Sequence, residues 1–327
     1  MRVFVTGSTG VIGHRLVETL AARGHDPVGL VRDDTGAATV REAGGRPVRG
    51  DVLDEPTLRT AMPDTVDAAV HAATKLPTDP RPSDADWALN DRVRREGARN
   101  LVAAATDAGV EQVLFPSVVW LARQPDGSAF DATDERHPTR PTQSAADVED
   151  FLAEASTARG FDATVLRLGY LYAHDSAHLR QFADGLLDGD VPIVGRGLLG
   201  RRDARLSMLH AADAATAFTA AIESALAGTY HVVDDEPVTL AAVLRALAER
   251  LDASEPGRVP AWLARWIVGT ETVRLLSRPM PTTASRFRDA TDWAPRYPTY
   301  RAGLDQVVAE WETQQQFGTA ARAGTAD

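Results

Sequence analysis

The sequence predicts an α/β protein built on a doubly wound parallel sheet, with a small C-terminal region attached. Three observations predict it. In the first two-thirds of the 327-residue chain, short β-rich apolar runs alternate with longer helical stretches. That is the rhythm of strands joined by crossover helices. A glycine-rich turn, Thr6-Gly7-Ser8-Thr9-Gly10-Val11-Ile12-Gly13, follows the first apolar run and opens the first helical stretch. From residue 169 onward the alternation weakens, as expected where a second region begins.

Strands are predicted over 2–6, 27–31, 47–50, 67–72, 112–117 and 163–168, with 228–233 as a further strand. Helical patterns cover 14–24 and 95–109, the latter closing at Gly109. Residues 74–90 and 123–143 are rich in polar and turn-forming residues and read as loops. Both follow strands, where open α/β sheets place ligands. Residues 1–168 plus 210–235 are assigned to the nucleotide-binding domain. Residues 169–209 plus 236–312 are assigned to a substrate-binding region, and 313–327 to a disordered tail.

Composition narrows the function classes. Hydrophobic content of 44% and charged content of 25% are those of a globular protein. No apolar run reaches the roughly 18 residues of a membrane span. A net charge of −11 argues against a nucleic-acid partner. The absence of cysteine removes disulfides and thiolate metal sites and fits a cytoplasmic location. Of 35 basic residues only Lys75 is lysine, so chemistry that requires a side-chain amine must use it.

The glycine turn carries the first functional expectation. Gly7, Gly10 and Gly13 permit a tight turn and close backbone approach, and the helix N-terminus then offers N–H groups to a pyrophosphate. The second strand ends at Val31 and Arg32, followed by Asp33 and Asp34. An arginine there can pair with a ribose 2′-phosphate, so NADP is expected rather than NAD. A solvated arginine in a turn is the plainer alternative.

The G-x-x-G-x-x-G spacing after Thr6 resembles the extended short-chain dehydrogenase/reductase family, also called the NAD-dependent epimerase/dehydratase family. Other segments agree over residues 1–310. Asp51 and Val52 resemble the stretch that meets the adenine. His71-Ala72-Ala73 resembles a turn that lines the cofactor. LRLGYLYA, LHAADAATAF and WAPRYP resemble later family motifs, with Leu168 in place of a proline. The resemblance implies a Rossmann-like fold and a nicotinamide cofactor. It implies cofactor contacts from Thr6, Gly7, Thr9, Gly10, Val11, Ile12, Gly13, Arg32, Asp51, Val52, His71, Ala72 and Ala73.

The same resemblance exposes a gap. The family's proton relay is a Tyr-x-x-x-Lys pair assisted by serine and asparagine. None of the five tyrosines lies near Lys75, so that pair is absent. The frame in RPTQSAADVED puts Pro141 and Ala145 at the two positions, with Ser144 and Glu149 retained and Pro141 suited to a first helical turn. Arg94 stands where the asparagine is expected, and only Ser117 keeps its place.

Candidate replacements are Ser117 as a hydrogen-bonding group and Lys75 as a cation or acid/base group. Asn90 could stand in for the lost asparagine, or cap a helix. Tyr170, Tyr172, His174, Asp175 and His178 cluster where the chain leaves the sheet; Tyr170 and His174 are the acid/base candidates among them. A surface lysine, a satisfied strand-end hydroxyl and a capped turn explain the same letters. His174 and His178 have helical spacing but no further ligand, so no metal site is expected. His210 is expected to pack against the sheet and Asp213 to cap or orient a helix. The arginines of 195–207 could clamp an anion or lie in a solvated loop. Trp262 and Trp266 could line a pocket, pack a core or form a homodimer face.

The leading expectation is an atypical NADP(H)-binding enzyme acting on a small-molecule substrate without the usual relay. A redox-neutral isomerase, cyclase or lyase and a non-catalytic NADP-binding sensor are the alternatives.

Overall fold

The structure is a computed structural model. It describes residues 1–79, 82–191, 193–194, 204–259 and 278–314. The strands β1 (Arg2–Thr6), β2 (Asp26–Val31), β3 (Arg46–Arg49), β4 (Ala68–His71), β5 (Gln112–Val118) and β6 (Asp162–Leu168) follow the predicted positions closely. The short strands β7 (Tyr170–Tyr172), β8 (Ile193–Val194), β9 (Arg205–Leu206) and β10 (Met208–His210) precede β11 (Gly228–Val232). Strands β12 (Val238–Thr239) and β13 (Arg258–Val259) come last.

The main sheet has seven strands in the order β11-β6-β5-β4-β1-β2-β3, and every pairing in it is parallel. The order reverses between β1 and β4. At such a point the two crossovers leave in opposite directions and open a crevice at the strands' C-terminal ends. The remaining strands form two-stranded pairs, β10 with β7, β12 with β9 and β13 with β8.

Helices cover both faces. On one face lie α1 (Gly13–Ala22) and α2 (Asp34–Glu42), packed on Val3 and Val5. On the other lie α3 (Glu55–Ala61), α4 (Asp84–Asp107) and α5 (Gln143–Arg159), packed on Phe4, Val113 and Phe115. The alternation follows from the two-residue period of a strand. Beyond β6 come α6 (Ala177–Leu187), α7 (Ala211–Glu223), α8 (Leu240–Arg250), α9 (Ser285–Thr291) and α10 (Tyr300–Thr313). The α7 helix returns to the α1 face of the sheet. Asp213 does more than orient α7: its carboxylate accepts the backbone N–H groups of Arg296 (2.6 Å) and Tyr297 (3.0 Å) and so ties down the WAPRYP segment. His210 packs beside Tyr172 and caps α7.

Two differences from the sequence expectations stand out. The α4 helix begins at Asp84, not within the 95–109 pattern, because Ser83 and Asp86 form a reciprocal capping box. Pro141 lies in the turn ahead of α5, not in its first helical turn; Thr142 is the N-cap. Most of 195–207, Trp262, Trp266 and nearly all of the expected tail lie outside the described residues. No helix among the described residues is long and apolar enough to cross a membrane.

One polar row is built into the sheet. Ser117, Arg167 and His231 are register partners across β5, β6 and β11 and share a face. Glu149 of α5 meets this row with both oxygens. It accepts Ser117 Oγ–H (2.5 Å), Arg167 Nε–H (3.0 Å) and Nη2–H (2.7 Å), and Arg136 Nη1–H (3.3 Å). The Arg167 and Glu149 side chains are each 5% exposed. A buried pair broken on one side leaves an uncompensated charge. Glu149→Ala is therefore expected to destabilise the fold by about 3–5 kcal/mol, measured by urea unfolding. A loss below ~1 kcal/mol, the range of an exposed pair, would contradict the network's role.

Candidate functional site

The first turn sits at the reversal point of the sheet. Gly7 has φ +67°, and a Cβ there would lie 2.5 Å from the Ala73 nitrogen and 2.6 Å from the Ala72 carbonyl carbon. A Cβ on Gly13 would lie 2.0 Å from the Gly7 oxygen. Only glycine fits either position. Gly10 closes the turn by donating its N–H to the Gly7 oxygen at 2.9 Å. Thr9 and Gly10 are exposed at the crest, with Val11 and Ile12 partly so. Ile12 precedes α1, and no side chain caps the helix and no acid occupies its first turn. An uncapped helix N-terminus behind a glycine cradle is suited to a dinucleotide's diphosphate. The residues present thus fit a nicotinamide dinucleotide.

His71, Ala72 and Ala73 form the opposing wall. His71 pairs in register with Thr6, and Thr6 Oγ1 donates to His71 Nδ1 at 2.9 Å. His71 Nε2 faces two carbonyl oxygens, of Val93 and Arg94, each at 3.2 Å. Those acceptors place the ring proton on Nε2. Burial holds its pKa down at about 4, so the ring is neutral. It is a spacer between β4 and α4. Gly97 admits it: a Cβ there would lie 2.8 Å from the ring.

The turn after β3, the stretch expected to meet the adenine, is held by hydrogen bonds of its own. Asp51 Oδ1 accepts the Leu53 N–H (2.9 Å), and Asn100 Nδ2 donates to the Val52 carbonyl (2.9 Å). At the end of β2, Asp33 is used as the N-cap of α2, accepting the Gly36 N–H at 2.7 Å. Asp34 is paired with Arg49. Arg32 is exposed, and its side chain has no partner among the described residues.

The catalytic candidates divide. Ser117 is 1% exposed and its proton is directed at Glu149, so its hydroxyl offers only lone pairs to a further partner. Lys75 is exposed; its backbone N–H donates to Asn90 Oδ1 at 3.0 Å. Burial pushes the Tyr170 phenol up to about 12, so it stays protonated at neutral pH. Tyr170 lies against Trp120. Asp175 forms a two-point ion pair with Arg15 (2.7 and 3.0 Å), and Arg15 also donates to His174 Nδ1 (3.3 Å) and to the Val11 carbonyl (2.7 Å). The His174 carbonyl accepts Trp311 Nε1–H at 2.6 Å. His174 and Asp175 thus tie α1 to the C-terminal helix α10. Burial lowers the pKa of both His174 and His178.

Two features escaped the sequence reading. Arg15 was unremarkable there, yet it is 7% exposed and joins the glycine turn to residues 160 positions away. Arg94 was read only as a missing asparagine, yet it is 4% exposed and reaches Ser144 Oγ at 3.4 Å. A charged residue in the middle of the apolar face of α4 was the available signal.

Gly13→Ala is expected to abolish nicotinamide-nucleotide binding in a fluorescence titration, because the added carbon cannot clear the Gly7 carbonyl. Undiminished affinity would place the cofactor elsewhere.

Known proteins share this architecture. A Streptomyces protein named 3-diazoavenalumate denitrifying reductase is 34% identical over 319 residues, covering 93% of this chain and 99% of its own length. A Stigmatella aurantiaca ketoreductase of 4-hydroxy-2-methyl-3-oxo-4-farnesyl-3,4-dihydroquinoline-1-oxide is 31% identical over 274 residues, covering 81% of this chain and 78% of its own length. The UDP-glucose 4-epimerase of Thermus thermophilus, solved with NAD, superposes with a TM-score of 0.74 at 25% identity, over 94% of this chain and 99% of its own. Human epimerase family protein SDR39U1, solved with NADPH, gives 0.77 at 19% identity, over 94% and 99%. The family model for the NAD dependent epimerase/dehydratase family matches residues 3–233, the stretch that holds the glycine turn, its opposing wall and the whole seven-stranded sheet, and the chain belongs to that family.

Proposed function

We propose that the protein is an NADPH-dependent reductase that delivers a hydride to a small organic substrate without a Tyr/Lys proton relay. One observation carries this reading. The dinucleotide turn is intact, while the relay positions in the family frame hold Pro141 and Ala145, with Ala145 fully buried in the α4–α5 core. The turn and the α1 N-terminus would hold the diphosphate. Arg32 is free to meet a 2′-phosphate, because Asp33 and Asp34 are already engaged.

Ser117, Tyr170 and Lys75 are not joined into a relay. Ser117 gives its proton to Glu149, Tyr170 holds its own, and Lys75 points to solvent. Carbonyl reduction needs a proton at the new alkoxide. The Streptomyces relative's name describes a reductive loss of nitrogen from a diazo compound. Bound NADPH supplies a hydride, and a hydride given to a diazo-bearing arene releases dinitrogen and leaves a C–H bond, so no oxygen anion forms. An aromatic diazo compound is therefore the proposed substrate class.

Incubation with NADPH and an arenediazonium salt is expected to consume the two in equal amounts and to release dinitrogen, faster than the reagents react alone. Acceleration of ketone reduction only, or product formed without NADPH consumption, would overturn the assignment. Arg32→Ala is expected to weaken NADPH by ~10- to 100-fold while leaving NADH nearly unchanged, as for the loss of a charge-assisted hydrogen bond. Equal losses for both cofactors would contradict the phosphate contact.

A further inference from the structure

The buried face of α4 carries polar atoms that the fold leaves unpaired. Asn90, Asp91 and Arg94 are 0%, 8% and 4% exposed. Each has one buried polar atom without a partner: Asn90 Nδ2, Asp91 Oδ1 and Arg94 Nε. The other charges of this part of α4 are satisfied. Arg92 pairs with Glu96, and Arg95 with Asp147. Asp91 is held by Arg140 at 2.8 Å. Burying a hydrogen-bond donor with no acceptor incurs its full desolvation penalty, so native folds seldom keep two together.

Their placement gives the two donors a common direction. Asn90 and Arg94 are one helical turn apart and share a face. Asn90 Oδ1 binds the Lys75 N–H, and the Arg94 carbonyl binds the His71 ring. Arg94 Nη1 reaches Ser144 Oγ at 3.4 Å, in the first turn of α5. The unpaired donors therefore lie between the turn that follows β4 and the start of α5. That is the crevice side of the sheet, beside the positions held by Pro141 and Ala145.

We infer that Asn90 and Arg94 form a donor pair that takes an oxygen acceptor of the bound ligand, either an anionic oxygen of the substrate or a hydroxyl oxygen of the cofactor. This rests on the reading of the chain as a nicotinamide-dependent reductase. Arg94 acts there as a fixed charge. Burial lowers its pKa to about 10, which still leaves it protonated at neutral pH. It binds and orients but does not exchange a proton. The ligand oxygen supplies the acceptor that the fold withholds from both donors.

The test uses the full-length protein and two probes, NADPH alone and cinnamate added to NADP-saturated protein. Arg94→Lys keeps the charge and removes the Nε–H. Asn90→Asp keeps the acceptor for Lys75 N–H and turns the unpaired donor into an acceptor. Each is expected to weaken one probe by ~10- to 100-fold, and the probe affected names the source of the oxygen. Arg92→Gln, on the exposed side of the same helix, is expected to change neither. Thermal melting of each variant separates lost folding from lost binding. The inference is overturned if the wild-type protein binds NADPH and neither variant binds either probe differently. Failure of the wild-type protein to bind NADPH would instead overturn the reductase reading, and the donor pair with it.

Discussion

The structure depends on a backbone-to-backbone contact at the point where the sheet reverses. The turn after β1 lies so close to the turn after β4 that a single carbon at Gly7 would overlap Ala72 and Ala73. The same turn is so tight that Gly13 faces the Gly7 oxygen. This closeness lets Thr6 reach His71, and His71 in turn sets the approach of α4 through Gly97. The crevice, its floor and the helix that lines it are thus fixed by one steric constraint. Arg15 extends that constraint to the C-terminal region, since it grips the Val11 carbonyl and Asp175 together.

Much of this was legible in the sequence. Strands with apolar alternation and a glycine turn beside them are local signals, and β1 to β6 and β11 fall where the pattern puts them. The early start of α4 was also local, since Ser83 and Asp86 have capping-box spacing, but the proline and aspartate content of 74–90 concealed it. The helices α2 and α3, of 9 and 7 residues, are short and went unread. What the sequence could not disclose were pairs made by tertiary folding. Arg15 with Asp175, and Glu149 with Ser117 and Arg167, join residues far apart in the chain. Ser117 illustrates the cost of missing them. Its position matched the family pattern, yet the direction of its proton depends on a carboxylate from α5.

The chemistry of the crevice follows from what these pairs leave over. The carboxylates of Asp175 and Glu149 are consumed by arginines, the buried histidine at β4 is neutral, and the Tyr170 phenol keeps its proton at neutral pH. Among the buried groups left unmatched on α4 are two donors of fixed charge or fixed orientation, Arg94 and Asn90. Such a site can seat and orient a substrate beside a hydride donor. It is poorly suited to reactions whose transition state waits for a proton. Under the proposed relay-free reduction, the loss of tyrosine and lysine would be a consequence of the substrate.

The most direct test of that account is a paired isotope measurement on the wild-type enzyme. With NADPH carrying deuterium at the transferring position, the account expects slower turnover and deuterium in the product C–H bond; in heavy water, with ordinary NADPH, it expects neither slowing nor label. A solvent isotope effect with solvent deuterium in the product, and none from the cofactor, would contradict it.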